Sequence, residues 1–246
     1  HLEGDPYRQA VIDFILAAEH SISIHVYIFK LDLFGLAVAE ALMAKSNAGV
    51  RVNLTVDFIG SFKQLKPLRS YFFGHENISF NVFNPLTVKG FFHIGRRLHH
   101  KVIISDQSNI IIGGINICND ESTPFKRPRL DFAVEVSGSD FKYVSHYFDE
   151  LSLNYKDALL ADRAENSFHI ISSNWFYNVC DIYDSYIENI IQSKKSILLI
   201  HGYFFPSKKI LDLLVQKASE GVNVEVLIPK YSDWERWNFA VQHLCR

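Results

Sequence analysis

A histidine and a lysine two positions apart on an extended segment can act together on one phosphoryl group. His99 and Lys101 stand in that relation within LHHKVIISDQSNIIIGGIN, residues 98–116. On a strand, alternate residues share a face, so His99 and Lys101 point one way and His100 the other. An imidazole beside a fixed ammonium, with Asn116 returning on the neighbouring strand, can hold a phosphoryl oxygen while the ring attacks phosphorus. The full spacing is His99-x-Lys101-x4-Asp106, followed by Gly113-Gly114-x-Asn116.

The elements that must carry these residues follow from composition. Lys101 to Ile104 and Asn109 to Ile112 are dense in β-branched residues, which predicts two short buried strands joined by a tight Ser-Asp-Gln-Ser-Asn turn. Upstream, Asp5-Pro6 suits a helix start, and Tyr7 to Ala18 has apolar residues at helical spacing. Ser21 to Phe29 reads as a buried strand, Leu36 to Ala48 as a helix ending at Gly49, and Val50 to Val56 as an alternating strand. Strand–helix–strand order implies parallel pairing with a right-handed crossover. Asp57 then falls at the C-terminal end of a strand, where open α/β sheets form sites; it and His25 read as core or supporting residues. Leu65 to Phe73 is a short helix, Ile78 to Phe83 a strand, Phe125 to Arg129 a basic loop, Leu130 to Val136 a strand carrying Asp131, and Ser139 to Asn154 an amphipathic helix.

The chain also repeats itself. Ser21–Phe29 is similar to Ser196–Phe205, and the helix leading to Gly49 is similar to the one leading to Gly221. The expected fold class is α/β: one lobe over 5–154, a mixed sheet flanked by helices, and the beginning of a second, pseudosymmetric lobe over 168–246. The polar stretch Tyr155 to Ser167 is the boundary, and Tyr177 to Ser193 is the helix that opens the second lobe.

A length of 246 residues with 48% apolar content suffices for a large core. A net charge of −2 is no mark of a generic nucleic-acid binder. Between Ser61 and Lys101, however, seven Lys or Arg meet one acid, Glu76, which favours an anionic substrate or surface. No run of 18 apolar residues is present and nothing resembles a signal peptide. Cys118, Cys180 and Cys245 lack metal-type spacing and read as reduced thiols of a cytosolic protein. His93, His99 and His100 make no tetrahedral set, because the last two face opposite sides of a strand; no metal or cofactor is expected.

The pattern His99-x-Lys101-x4-Asp106 with Gly113-Gly114-x-Asn116 resembles the signature of the phospholipase D superfamily, the HKD phosphodiesterases. The longer string from Arg97 to Asp106, with Gly-Gly-Ile-Asn-Ile after it, is most similar to the bacterial cardiolipin synthase branch. The resemblance implies that His99 is the nucleophile that forms a phosphohistidine, or else the acid that protonates the leaving alcohol. It implies that Lys101 and Asn116 hold the non-bridging oxygens, and that Asp131 is the carboxylate on the second ring nitrogen of the histidine. Asp106, in the turn, is expected to tie loop backbone or a basic residue. Gly114 stands where many relatives carry serine. Arg96 and Arg97 are candidates to meet substrate phosphates while Phe91-Phe92 enters a membrane surface, or this loop packs on the other lobe.

HKD enzymes join two motifs in one site, and only one is present here. The expectation is therefore a longer two-motif design, with a second HKD lobe or a homodimer partner supplying the other histidine. The implied activity is phosphatidyl transfer from a phosphatidylglycerol-like phospholipid to an alcohol, in the bacterial cytoplasm or peripherally at the inner membrane. The alternatives are a nuclease acting on nucleic acid diesters and a lobe that binds phosphate without turnover.

Overall fold

The computed structural model describes residues 4–87, 95–119, 131–138, 140–153, 164–165, 168–174 and 179–229. The chain divides into two compact units, 1–161 and 162–246. The sequence expectations for Phe91-Phe92, His93, Phe125–Arg129 and Cys245 lie outside the described residues.

The first unit is built on a six-stranded sheet ordered β3-β2-β1-β4-β5-β6. Its strands are β1 (Ser21–Val26), β2 (Arg51–Asp57), β3 (Ile78–Phe83), β4 (Lys101–Ser105), β5 (Asn109–Gly113) and β6 (Ala133–Ser137). β1, β2 and β3 pair in parallel, while β4 joins β1 antiparallel and opens an antiparallel meander through β5 to β6. This mixed sheet matches the expected class. Helices α1 (Asp5–Ala17) and α2 (Leu33–Asn47) cover one face, against Ile22, Ile24, Val26, Val52, Leu54, Val56, Ile103 and Ile111. On the same core packs Leu68 of α3 (Leu65–Tyr71). The opposite face carries α4 (Lys142–Leu153), whose Val144, Tyr147, Phe148 and Leu151 are buried.

Several boundaries differ from the sequence reading. Helix α2 begins at Leu33, three residues before Leu36, because the Asp32 side chain accepts the Gly35 N–H and caps the first turn. Gly35 is required there, since a Cβ would collide with the Lys30 carbonyl. β1 ends at Val26, after which Phe29 alone bridges to Ile117. β6 begins at Ala133, so Asp131 precedes the strand; its carboxylate accepts the Phe132 N–H at 2.7 Å, a local turn bond that competes with sheet pairing.

The second unit repeats the opening of the first. It contains the two-residue strands β7 (Ala164–Glu165), β8 (Phe168–His169), β9 (Ser173–Asn174) and β10 (Val179–Cys180), then α5 (Asp181–Gln192), β11 (Ser196–Ile200), α6 (Lys208–Ser219) and β12 (Asn223–Leu227). β11 and β12 pair in parallel around α6, as β1 and β2 do around α2. The caps match too: the Ser207 hydroxyl accepts the Ile210 N–H, as Asp32 accepts that of Gly35. Helix α6 has 12 residues against 15 in α2, and both repeats close on a left-handed glycine, Gly49 at φ 90 and Gly221 at φ 89. The repeat read from the sequence is therefore a repeat of structure.

Candidate active site

β4 delivers the two chemical groups. Val26 of β1 lies opposite Lys101, so the residues just before β4 run beside the chain leaving β1. Pleating separates the neighbours as expected. His99 is exposed, while His100 turns inward against Tyr147 and Phe148 of α4, at centroid separations of 6.3 and 5.2 Å.

The Lys101 ammonium donates to the His99 carbonyl at 2.8 Å and lies 3.3 and 3.4 Å from the two ring nitrogens. The Tyr27 ring completes the wall, 5.0 Å from the imidazole and 5.6 Å from the ammonium. Desolvation and then the Lys101 charge hold His99 below the usual imidazole range, and Asp57 opposes them. That direction favours the neutral ring, the state a nitrogen nucleophile requires. Asn116, buried just after β5, accepts the Ile28 N–H at 3.0 Å through Oδ1. Lys101 and Asn116 are so brought to one short segment, residues 26–28, at the C-terminal end of β1.

Other candidates are placed elsewhere. Asp106 sits past the far end of β4 in the left-handed region (φ 52), and its carboxylate accepts the N–H groups of Glu19, His20 and Ser21 at 2.7–2.8 Å. It ties the β4–β5 turn to the entry of β1. Burial would raise its pKa, but the three N–H donors outweigh that and hold it low. Arg96 is buried, with its guanidinium 5.9 Å from the Phe83 ring centroid. Arg97 donates to the carbonyls of Arg96 and Asn84 and pairs with Asp57 at 3.4 Å. Both arginines make these contacts beside the approach to β4.

No hydrogen bond joins Asp131 to His99. The carboxylate of Asp131 lies over Gly114, where a Cβ would collide with it.

Two groups at the site escaped the sequence reading. Tyr27 was hidden in an apolar run. Asp57 was read only as a supporting residue, yet its charge reaches the imidazole. The pattern Asp57-Phe-Ile-Gly60-Ser61 at a strand end was its available mark.

A mixed α/β lobe that presents His-x-Lys from a central strand defines the phospholipase D-like class. The family model described as "Cardiolipin synthase, PLD-like domain" matches residues 11–151, more than half of the chain, and the chain belongs to that family. Cardiolipin synthase 1 of Staphylococcus epidermidis is 26% identical over 249 residues, covering 92% of this chain and 49% of its own length. The major cardiolipin synthase ClsA of Bacillus subtilis is 26% identical over 255 residues, covering 93% and 50%. The chain thus spans about half the length of these curated relatives. Among solved structures, phosphatidylserine synthase from Haemophilus influenzae Rd KW20 superposes with a TM-score of 0.67 at 12% identity, over 99% of this chain and 68% of that one, which shows a shared fold.

Proposed function

We propose that this chain is the His99-bearing part of a phospholipase D-type phosphatidyltransferase that works through a phosphohistidine. The observation that carries the reading is an imidazole, open to solvent, held against the Lys101 ammonium in a cardiolipin synthase-family fold. A ring nitrogen of His99 attacks the phosphorus of a phosphatidylglycerol-like donor. Lys101 neutralises the non-bridging oxygens, whose charge grows in the transition state. The alcohol leaves with the electron pair of the P–O bond and a proton from an acid, and a second alcohol then takes the phosphatidyl group from nitrogen.

Phospholipid, rather than nucleic acid, is the substrate class that the family supports. Access is from a membrane surface, and among the described residues no helix is long and apolar enough to cross one. The test is to incubate the protein with phosphatidylglycerol vesicles and, separately, with single-stranded DNA. Lipid product that disappears in His99→Ala supports the proposal. DNA cleavage without lipid product would replace it with a nuclease.

A further inference from the structure

A carboxylate at the end of β2, that of Asp57, holds the backbone just before His99. Asp57 is fully buried; one oxygen accepts the Leu98 N–H at 2.9 Å, and the other accepts the N–H groups of Ile59 and Gly60 at 2.8 and 2.9 Å. Leu98 is the residue immediately before His99, so this bond fixes the backbone from which the imidazole projects. The loop that Asp57 starts also holds the other wall. Gly60 packs under Tyr27, leaving no room for a Cβ against its ring and carbonyl. The Ser61 hydroxyl donates to the Tyr27 carbonyl at 3.1 Å and accepts the Phe29 N–H at 3.0 Å. One five-residue loop therefore grips both Tyr27 and the approach to His99.

We propose that Asp57 is a positioning residue for His99: its carboxylate sets the imidazole through Leu98 and supplies the negative charge that balances the ring as the N–P bond forms. In that step the His99 nitrogen donates its electron pair to phosphorus. The P–O bond to the departing alcohol breaks, its oxygen keeping the pair and taking a proton from a second imidazole or water. Positive charge accumulates on the ring, where the charge of Asp57 favours it and that of Lys101 opposes it; Arg97, paired with Asp57, the Tyr27 ring and the neighbouring His100 complete the groups around it. No hydrogen bond from Asp131 supplies that charge. The inference rests on the phosphohistidine reading and is tested apart from it.

The experiment is an NMR titration of the His99 ring in the wild-type chain, in Asp57→Asn and in Arg97→Gln, beside the rate of the first phosphoryl transfer. Asp57→Asn keeps an acceptor for Leu98 but removes the charge, so the His99 pKa should fall and the transfer should slow at least 10-fold. Arg97→Gln leaves the Asp57 charge less neutralised, so the His99 pKa should rise. A merely structural role would move both variants the same way or leave the titration unchanged, and either result overturns the proposal. If Asp57→Asn does not fold, Asp57→Glu decides in its place: it keeps the charge but displaces the oxygen that holds Leu98, so the transfer should slow and the His99 titration should move, and an unchanged rate and titration overturn the proposal. Loss of the transfer reading itself shows differently, as unchanged turnover in His99→Ala.

Discussion

At the scale of single residues, the proposed chemistry turns on the balance of charge around one imidazole. Desolvation and Lys101 lower the His99 pKa while Asp57 raises it. Because attack requires the neutral ring, the rate should be lost as pH falls through a pKa below the usual 6.5. Lys101→Met should move that acid limb upward and also slow turnover about 10²–10³-fold, as expected for removal of a transition-state charge clamp. The pH profile of kcat/KM checks both effects; an acid limb unmoved by the substitution would contradict them. His99 and Lys101 were legible because period-two alternation puts them on one face whatever the rest of the chain does. Asp57 was not, because its influence runs through the Leu98 N–H and is created only by folding.

At the scale of elements, α4 and the far end of β4 hold the site from outside. His25 stacks on Phe148 at 4.2 Å, with Nε2 bonded to the Ser23 hydroxyl at 2.9 Å, and His100 meets the same phenylalanine edge-on. Burial and the neighbouring His100 push His25 down to about 3; burial and then Lys101 and His99 push His100 down to about 4. Both folded values lie below 6.5, so the unfolded chain takes up these protons first. The stability due to them is complete above pH 6.5 and is lost as pH falls towards 4 and then 3, at up to about 1.4 kcal/mol per pH unit for each ring. His25→Phe should flatten this acid dependence, which urea melts at pH 4.5 and 7.5 would measure.

Asp106→Asn should cost about 1–2 kcal/mol by weakening charged bonds to three N–H donors, and should leave the pH–rate profile in place. Calorimetry with the pH profile separates that outcome from a catalytic role. The strands and helices were legible from alternation and helical spacing. Their ends were not: the Asp32 cap and the Asp131–Phe132 turn bond are side-chain events that a hydrophobic pattern does not register.

At the scale of the whole molecule, the repeated strand–helix–strand unit is the main organisational fact, and the second copy departs from the first where the chemistry lies. In strand register, from Ser21 on Ser196, His25 corresponds to Ile200. The face that holds Ser23, His25 and Thr55 in the first unit holds Leu198, Ile200 and Leu227 in the second, all three exposed. The sequence made the repeat visible because buried strands and left-handed glycines constrain composition strongly, whereas surface replacements carry no comparable mark.

One imidazole cannot attack phosphorus and protonate the departing alkoxide on the opposite side. A positioned acid is worth about 10²–10⁴-fold, so with a natural alcohol leaving group we expect this chain alone to be slow until a second histidine is provided. A leaving group that needs no proton removes that requirement. The most direct test of His99 as nucleophile is thus a pre-steady-state reaction with a 4-nitrophenyl phosphodiester. The expected result is a burst of 4-nitrophenolate close to one equivalent per chain, with an acid-labile adduct mapped by mass spectrometry to the peptide containing His99 and neither in His99→Ala. A burst that survives His99→Ala, or an adduct on another residue, would contradict it.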